Sequence, residues 1–353
     1  MALILVEEFR RYAASADISA TNDDLTTVWA KDVNIVVSAG NGRFGAQCIQ
    51  NNSNSNTLTI RLGSGVVSGS TLIVGAELKI SPSVNGAADS NSMFFIRTGA
   101  GSQHARINYT AGGYLTVWSA SDAFVAVTSQ PLSFDVWHYV EFKFSLLDSG
   151  SVTIRLDGVE VLATTSGDFR NGTGNTSTIE QVIIGGRVLT YWGDMIIMDG
   201  SGATFNDFMG DMRYELQLPD ADGSTAAWTA SAGSNFQCID DAIPLASGSF
   251  DTDYISEATT DDLNYASHAA VSATNYSTIH FVGVYALARA DASGDKIAGL
   301  ALSGGSTSTG ADQALVNGTY RWRKHVVQLD PNGSIAWTPT NINAAEYGVK
   351  KRV

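Results

Sequence analysis

The chain has 353 residues, and its net charge of −14 at pH 7 argues against a nucleic-acid partner, because phosphate binding needs clustered lysine and arginine side chains. No apolar run reaches the roughly 20 residues of a membrane-spanning helix, and residues 2–6 are too short for a signal peptide, so no membrane partner is expected. Charged residues make up only 16% of the chain, and small polar residues are abundant, which favours many short strands joined by polar turns.

The first part of the chain begins with strands predicted over residues 3–9, 34–38 and 46–50. The joint between the last two, residues 40–45 (GNGRFG), matches the GxGxxG fingerprint of dinucleotide-binding proteins. That fingerprint requires a helix after it, and residues 51–56 (NNSNSN) cannot form one. We therefore interpret the glycines as turn residues with positive φ and expect no nucleotide cofactor.

The clearest pattern lies in residues 137–161 (WHYVEFKFSLLDSGSVTIRLDGVEV), where apolar residues occupy every second position. This period is that of half-buried strands. The inward set is Val140, Phe142, Phe144, Val152, Ile154 and Leu156. The outward set is Tyr139, Glu141, Lys143, Thr153 and Arg155. Asp157-Gly158 predicts a tight hairpin between the last two strands. Such a meander needs a second sheet to cover its apolar face, which favours a β-sandwich.

Residues 137–161, followed by 179–186 (IEQVIIGG) and 191–198 (YWGDMIIM), resemble the concanavalin A-like, laminin G-like jelly roll. The resemblance implies a first domain over residues 1–211 that is a two-sheet sandwich. It also implies that the first strand lies beside residues 193–198. It does not define a function, because the fold hosts lectins, glycanases, adhesion modules and virion parts.

Residues 212–353 are predicted to form a second β-sandwich domain preceded by a loop-rich segment, so the whole chain is expected to be all-β. Strands are predicted over residues 214–218, 276–289, 296–303, 319–329 and 347–351. Turns are predicted at residues 220–223, 291–294 and 330–333. Residues 303–310 are expected to be a flexible loop, and Lys350-Lys351-Arg352 a solvated terminal tail.

A second resemblance covers much of this half. Residues 210–241 (GDMRYELQLPDADGSTAAWTASAGSNFQCIDD), 251–265 (DTDYISEATTDDLNY) and 335–350 (IAWTPTNINAAEYGVK) are similar to segments that recur in structural proteins of tailed bacteriophages. The resemblance implies a virion component made in the host cytoplasm. As a virion part, the chain is expected to have other virion proteins as partners. It is also expected to work as a homo-oligomer, because sandwiches have unpaired edge strands that symmetric assembly buries between copies.

The residues that could carry chemistry are sparse. The five histidines form no metal-binding spacing, and no nucleophile elbow is present. Jelly-roll glycanases place paired carboxylates on one strand face, and this pattern is missing. Asp251, Asp253 and Glu257 come nearest, and we interpret them as solvated loop acids. Asp220-Ala-Asp222-Gly223 resembles the start of a calcium loop without the later ligands. We therefore expect no catalytic residues, no cofactor and no metal.

Two sets of residues are candidates for contacts with partners. Trp118, Tyr191 and Trp192 are candidates for stacking on sugar rings, although core packing is the commoner use of such side chains. Tyr320 and Trp322 alternate with Arg321 and Arg323 on a predicted strand, and these four residues are candidates for oligomer contacts. The alternative for the arginines is surface ion pairs within one chain, worth about 0–1 kcal/mol each.

Cys48 and Cys238 are too few for a disulfide framework and are expected to be buried free thiols.

The favoured function is a non-enzymatic structural component of a tailed phage particle: a capsid decoration protein, a fibre or spike, or a tail-tip part. The alternatives are a lectin-like, receptor-binding module for host surface glycan and a glycan-degrading enzyme.

Overall fold

The computed structural model describes residues 3–7, 9, 29–31, 35–52, 57–62, 70–81, 91–171, 178–186, 189–201, 203–243, 252–272 and 278–353. These residues form two compact units, which divide the chain between Tyr214 and Glu215. The prediction divided it near Asp211. Both units are built from antiparallel strands, so the predicted all-β fold is confirmed.

The first unit is a sandwich of two antiparallel sheets. Its strands are β1 (Leu3–Glu7), β2 (Trp29–Lys31), β3 (Ile35–Ser38), β4 (Cys48–Asn51), β5 (Leu58–Arg61), β6 (Thr71–Ile80), β7 (Asn91–Arg97), β8 (Gln103–Tyr109), β9 (Leu115–Trp118), β10 (Phe124–Val127), β11 (His138–Ser145), β12 (Gly150–Leu156), β13 (Val159–Gly167), β14 (Gln181–Ile184) and β15 (Thr190–Met198). Within the described residues, the larger sheet has the order β13-β12-β11-β6-β15-β4-β3, with β1 also paired to β15. The smaller sheet has the order β10-β9-β8-β7-β14-β5-β2.

The core of this unit lies between the two sheets and follows the predicted alternation. The whole inward set of residues 140–156 is buried in one hydrophobic cluster with side chains of the smaller sheet. Phe94 of β7 contacts the rings of Phe142 and Phe144 at centroid distances of 5.1 and 6.4 Å. The expected place of the first strand is confirmed as well, because Leu3 pairs with Met198 and Glu7 with Met195.

The two turns singled out in the sequence have the backbone geometry that their residues favour. Asp157 and Gly158 have φ values of 51° and 80°, which suit the tight hairpin between β12 and β13. In the GxGxxG segment, Gly40 and Gly45 have positive φ as expected, but Gly42 has a φ of −70°. Glycine is needed at position 42 because a Cβ atom there would lie 2.7 Å from the Ala46 carbonyl oxygen. Strand β4 follows this turn, whereas residues 53–56 lie outside the described residues.

The second unit contains a six-stranded sheet and smaller two-stranded sheets among its described residues. Its elements are β16 (Pro219–Ala226), β17 (Thr229–Ala230), β18 (Ile255–Ser256), β19 (Leu263–His268), β20 (Val282–Ala288), β21 (Lys296–Ser303), β22 (Ser306–Thr309), β23 (Gln313–Ala314), β24 (Arg321–Val327), helix α1 (Pro339–Ala344) and β25 (Glu346–Arg352). The large sheet has the order β16-β19-β25-β21-β22, and β23 also pairs with β21. One apolar cluster among its described residues contains Val271, Ala301, Val327, Trp337, Ile342 and Ala345.

Two predicted segments of this unit were wrong, and one helix was not predicted. Residues 214–218 are not a strand; β16 begins at Pro219 and includes the predicted turn at 220–223, because it pairs with β19. The expected loop at 303–310 is a hairpin in which Gly304 and Gly305 adopt positive φ and β22 pairs with β21. Helix α1 was not predicted, although Thr338 caps it by accepting a hydrogen bond from the Asn341 N–H and Pro339 opens it.

The basic residues near the C-terminus are also not the expected solvated tail. They lie in β25, between β19 and β21, where carboxylates from neighbouring turns neutralise them. Lys351 is 7% exposed, and its Nζ lies 2.5 Å from Asp295 Oδ1. Lys350 pairs with Asp261 at 3.2 Å, and Arg352 Nε pairs with Asp312 at 2.8 Å. No helix in the described part of the chain is long and apolar enough to span a bilayer.

Candidate functional site

The outer face of the larger sheet in the first unit carries the densest group of polar side chains. The predicted outward set lies on this face: Glu141 is opposite both Gly75 and Arg155, and Lys143 is opposite both Ile73 and Thr153. Residues 204–214 cross the face, however, so that Tyr139 and Glu141 are each only 1% exposed. The alternation predicted the face correctly, and the covering segment buries the middle of it.

Carboxylates of the sheet hold the covering segment in place. Glu141 Oε1 accepts hydrogen bonds from the N–H groups of Met209 and Gly210, both at 2.9 Å. Asp194 Oδ2 accepts one from the Tyr214 N–H at 2.8 Å. Burial raises the pKa of Glu141 above its usual value, although the two backbone N–H groups and the nearby Arg155 oppose the shift. These carboxylates therefore bind the chain's own backbone.

Tyr139 lies beside Glu141 within this buried polar cluster. Its pKa is raised well above the usual value, first by complete burial and then by the surrounding carboxylates. Position 75 must be glycine to accommodate this side chain, because a Cβ atom there would lie 2.6 Å from the Tyr139 hydroxyl. Arg43 pairs with Asp211 of the covering segment and lies 3.9 Å from Glu77. The cluster is thus shaped around its own side chains.

A cavity of about 260 Å³ opens at one end of the same face, beside the covering segment. Its lining combines hydroxyls, cations, carboxylates and one half-buried ring. The lining residues include Thr71, Ser145, Ser151 and Thr153, then Lys143, Arg155, Glu160 and Asp207, and Phe208. Lys143 Nζ lies 3.0 Å from Asp207 Oδ1, and the Arg155 guanidinium lies 4.2 Å from the Phe208 ring centroid. Partial burial raises the pKa of Asp207, but hydrogen bonds from the Phe208 N–H and Lys143 outweigh this effect. The pKa of Asp207 is therefore lower than its usual value.

A cation and two aromatic rings meet near the other end of β6. Lys79 Nζ lies 4.3 Å from the centroid of the Tyr191 ring and 5.1 Å from that of Trp137. The two rings are 6.4 Å apart in an edge-to-face arrangement. Burial is also the main cause that raises the pKa of Tyr191. Tyr191 is therefore held half-buried beside a cation, with Trp137 as a neighbour that sequence reasoning did not select.

The three candidates for sugar stacking lie in three different places. Tyr191 lies on the outer face of the larger sheet, and Trp118 lies half-buried on the smaller sheet with Arg106 4.9 Å from its ring centroid. Trp192 was wrongly included. It is 1% exposed, and its indole N–H donates to the Gly185 carbonyl at 2.9 Å, so the core encloses its ring. These residues therefore do not form one site.

The expected arrangement of residues 320–323 was also wrong in part. Trp322 and Arg323 are 9% and 4% exposed, so neither offers much surface to another subunit. The Arg323 guanidinium instead donates to the carbonyl oxygens of Trp322 and Ala314 within the same chain. Tyr320 is half-buried, and the Arg289 guanidinium lies 5.1 Å from the centroid of its ring. Arg321 is also half-buried. Tyr320 and Arg321 remain predicted contacts.

Three of the acids considered for calcium or catalysis accept local hydrogen bonds. Asp220 accepts a hydrogen bond from the Ser267 hydroxyl at 3.0 Å, and Asp222 accepts one from the Phe236 N–H at 2.7 Å. Glu257 accepts from the N–H groups of residues 258 and 259, whereas Asp251 lies outside the described residues. Across the described ranges, no group of three His, Cys, Asp or Glu side chains is placed to hold a metal ion. Cys48 and Cys238 are buried and free, as expected.

Neither a family model nor a curated protein matches the chain. Solved structures similar to part of it include the binding domain of Paraclostridial Mosquitocidal Protein 1, with 12% identity and a TM-score of 0.40, over 56% of this chain and 49% of that one. The marine PL-14 alginate lyase from Aplysia kurodai shows 10% identity and a TM-score of 0.42, over 55% and 98% of the two chains. The endo-β-1,4-glucuronan lyase from the fungus Trichoderma reesei shows 13% identity and a TM-score of 0.35, over 50% and 93%. The chain thus spans about half the length of the mosquitocidal domain. Likenesses this distant assign neither a function nor a site residue.

Proposed function

We propose that the chain is a non-enzymatic structural component of a tailed bacteriophage particle, localised in the virion. The sequence resemblance of residues 210–241, 251–265 and 335–350 to phage structural proteins supports this proposal. The observation that carries it in the structure is the covering segment, because Glu141 and Asp194 bind backbone N–H groups of residues 209–214. Carboxylates that bind backbone N–H groups stabilise the fold, which supports a structural role. A capsid decoration protein, a fibre or spike, and a tail-tip part all agree with such a scaffold.

Particle labelling tests this role. Antibodies against the purified chain are expected to label intact, gradient-purified particles of the phage that encodes it, at a fixed position on the head, tail or fibres. Light scattering of the purified chain is expected to give a mass that is a multiple of its 37.3 kDa, because virion parts assemble symmetrically. A chain that is found only in the unassembled fraction of the lysate would contradict the proposal.

Glycan recognition by the first unit is the second candidate function. The specific observation in its favour is the cavity beside the covering segment, in which hydroxyls, Lys143, Arg155, Glu160 and Asp207 surround the Phe208 ring. Sugars offer hydroxyl donors and acceptors on an apolar ring, and a few polar groups around one aromatic side chain suit such a ligand. In this reading the cavity gives the particle its contact with host surface glycan.

Replacing Phe208 with alanine is expected to weaken binding of a host surface oligosaccharide about tenfold, since the ring supplies the apolar contact of the cavity. Titration calorimetry measures the affinity, and chromatography of the recovered ligand is expected to show it uncleaved. Phe44→Ala is a matched control, because Phe44 is 66% exposed and does not line the cavity. Equal binding by both variants would exclude this site, and cleaved ligand would show that the chain is an enzyme.

A further inference from the structure

The smaller sheet of the first unit carries an unusual row of side chains on its outer face. Phe95 of β7, Arg106 of β8, Trp118 of β9 and Phe124 of β10 are direct cross-strand partners. Neighbouring strands lie about 4.8 Å apart, so this row spans about 14 Å across four strands. We call it, together with Arg97, the arginine–aromatic row.

The row interleaves rings and guanidinium groups. The Arg97 guanidinium lies 4.4 Å from the Phe95 ring centroid, and that of Arg106 lies 4.9 Å from the Trp118 ring centroid. Trp118 and Phe124 meet edge to face at 6.0 Å, and Phe124 is 55% exposed. Phe95 and Trp118 are half-buried. The row therefore offers both apolar ring surface and positive charge to a ligand.

The positive charge of the row is only partly neutralised. Arg106 Nη2 lies 2.8 Å from Asp122 Oδ1. Among the described residues, Asp122 is the carboxylate that lies within ion-pair distance of the row. Within the same residues, the Arg97 side chain forms no hydrogen bond or ion pair, and the Nε atoms of both arginines are buried without a partner. Burial, and next the repulsion from Arg106, lower the pKa of Arg97. Holding these two positive charges close together costs free energy, and a bound anion would offset that cost.

We propose that the arginine–aromatic row binds an acidic polysaccharide. Its carboxylate or sulfate groups would pair with Arg97 and Arg106, since guanidinium groups bind such anions with charge-assisted hydrogen bonds. Its sugar rings would lie against Trp118 and Phe124. Charge complementarity supports this occupant, because the row is a local cationic surface in a chain of net charge −14. The row is on a different sheet from the cavity beside the covering segment, so the two sites can be tested separately.

The test compares polygalacturonate and dextran sulfate, which carry carboxylate and sulfate groups respectively, with neutral dextran. Affinity electrophoresis of the whole chain is expected to show binding to at least one acidic polymer, weakening as salt rises. Arg97→Gln is expected to weaken that binding about tenfold or more, because a charge-assisted contact is lost. It is expected to lower the melting temperature only slightly, since the Arg97 side chain loses no ion pair or hydrogen bond among the described residues, only its contact with the Phe95 ring. The control Lys296→Gln removes the same charge from β21 of the second unit and is expected to leave binding unchanged.

Each other outcome decides against the proposal. Failure to bind either acidic polymer overturns it, and so does binding that Arg97→Gln and Lys296→Gln weaken equally, which would reflect net charge alone. Binding of poly-glutamate as tight as that of the acidic polymers would show that the row recognises any polyanion and not a glycan. Phe208→Ala is expected to leave this binding intact, so failure of the cavity as a glycan site is distinguishable from failure of the row.

Discussion

Replacing Glu141 with alanine is expected to destabilise the first unit by about 2 to 4 kcal/mol. The side chain is 1% exposed, and one carboxylate oxygen accepts hydrogen bonds from two backbone N–H groups of the covering segment. Alanine would leave both half-buried N–H groups without this acceptor, at a cost of about 1 to 2 kcal/mol each. Urea unfolding of the whole chain measures the change, and amide exchange of β11 and β25 assigns it to one unit.

The matched control for this variant is Glu141→Gln, which keeps an oxygen for both N–H groups. It also removes the charge whose burial raises the pKa of Glu141, so we expect a loss below about 1 kcal/mol. The raised pKa means that the folded state binds the proton more tightly than the unfolded state. The stabilising contribution is therefore present below the unfolded pKa of about 4.3 and is lost as pH rises through the folded pKa. Wild type should lose stability relative to Glu141→Gln over this window, and parallel pH profiles would contradict the assignment.

Replacing Phe144 with alanine is expected to cost about 3 to 5 kcal/mol, the largest effect predicted for a single residue of this chain. Phe144 is 0% exposed and contacts the rings of Phe94 and Phe169, at 6.4 and 5.5 Å between centroids. Alanine would leave a cavity between the two sheets, because the surrounding strands cannot collapse to fill it. The same unfolding and exchange measurements apply.

Phe124→Ala controls for the loss of an aromatic ring without loss of core packing. Phe124 is 55% exposed on the outer face of the smaller sheet, and we expect its replacement to cost less than about 1 kcal/mol. Similar losses for the two variants would mean that Phe144 does not anchor the contact between the sheets.

The sequence alone determined the fold class, the inward and outward faces of β11 and β12, and the hairpin at Asp157-Gly158. These are local properties, because a two-residue period assigns each side chain to one face and a turn depends on the φ values of its own residues. The partner of the first strand came from a family resemblance. Local patterns gave the wrong prediction where pairing between distant strands determined the structure. Strand β16 is an example, because pairing with β19 extends it through residues that would otherwise form a turn.

Only the tertiary structure decided which outward side chains are buried and which charges are neutralised. Glu141 and Lys143 occupy equivalent positions in the alternation, yet residues 204–214 bury the first and leave the second beside a cavity. Lys351 reads as part of a basic tail, but carboxylates distant in sequence place it in the interior of a sheet. Arg97 and Arg106 likewise lie close together only because strands β7 and β8 pair. The physical reason is that burial and electrostatic energy depend on distances between segments far apart in the chain, which residue type and spacing do not specify.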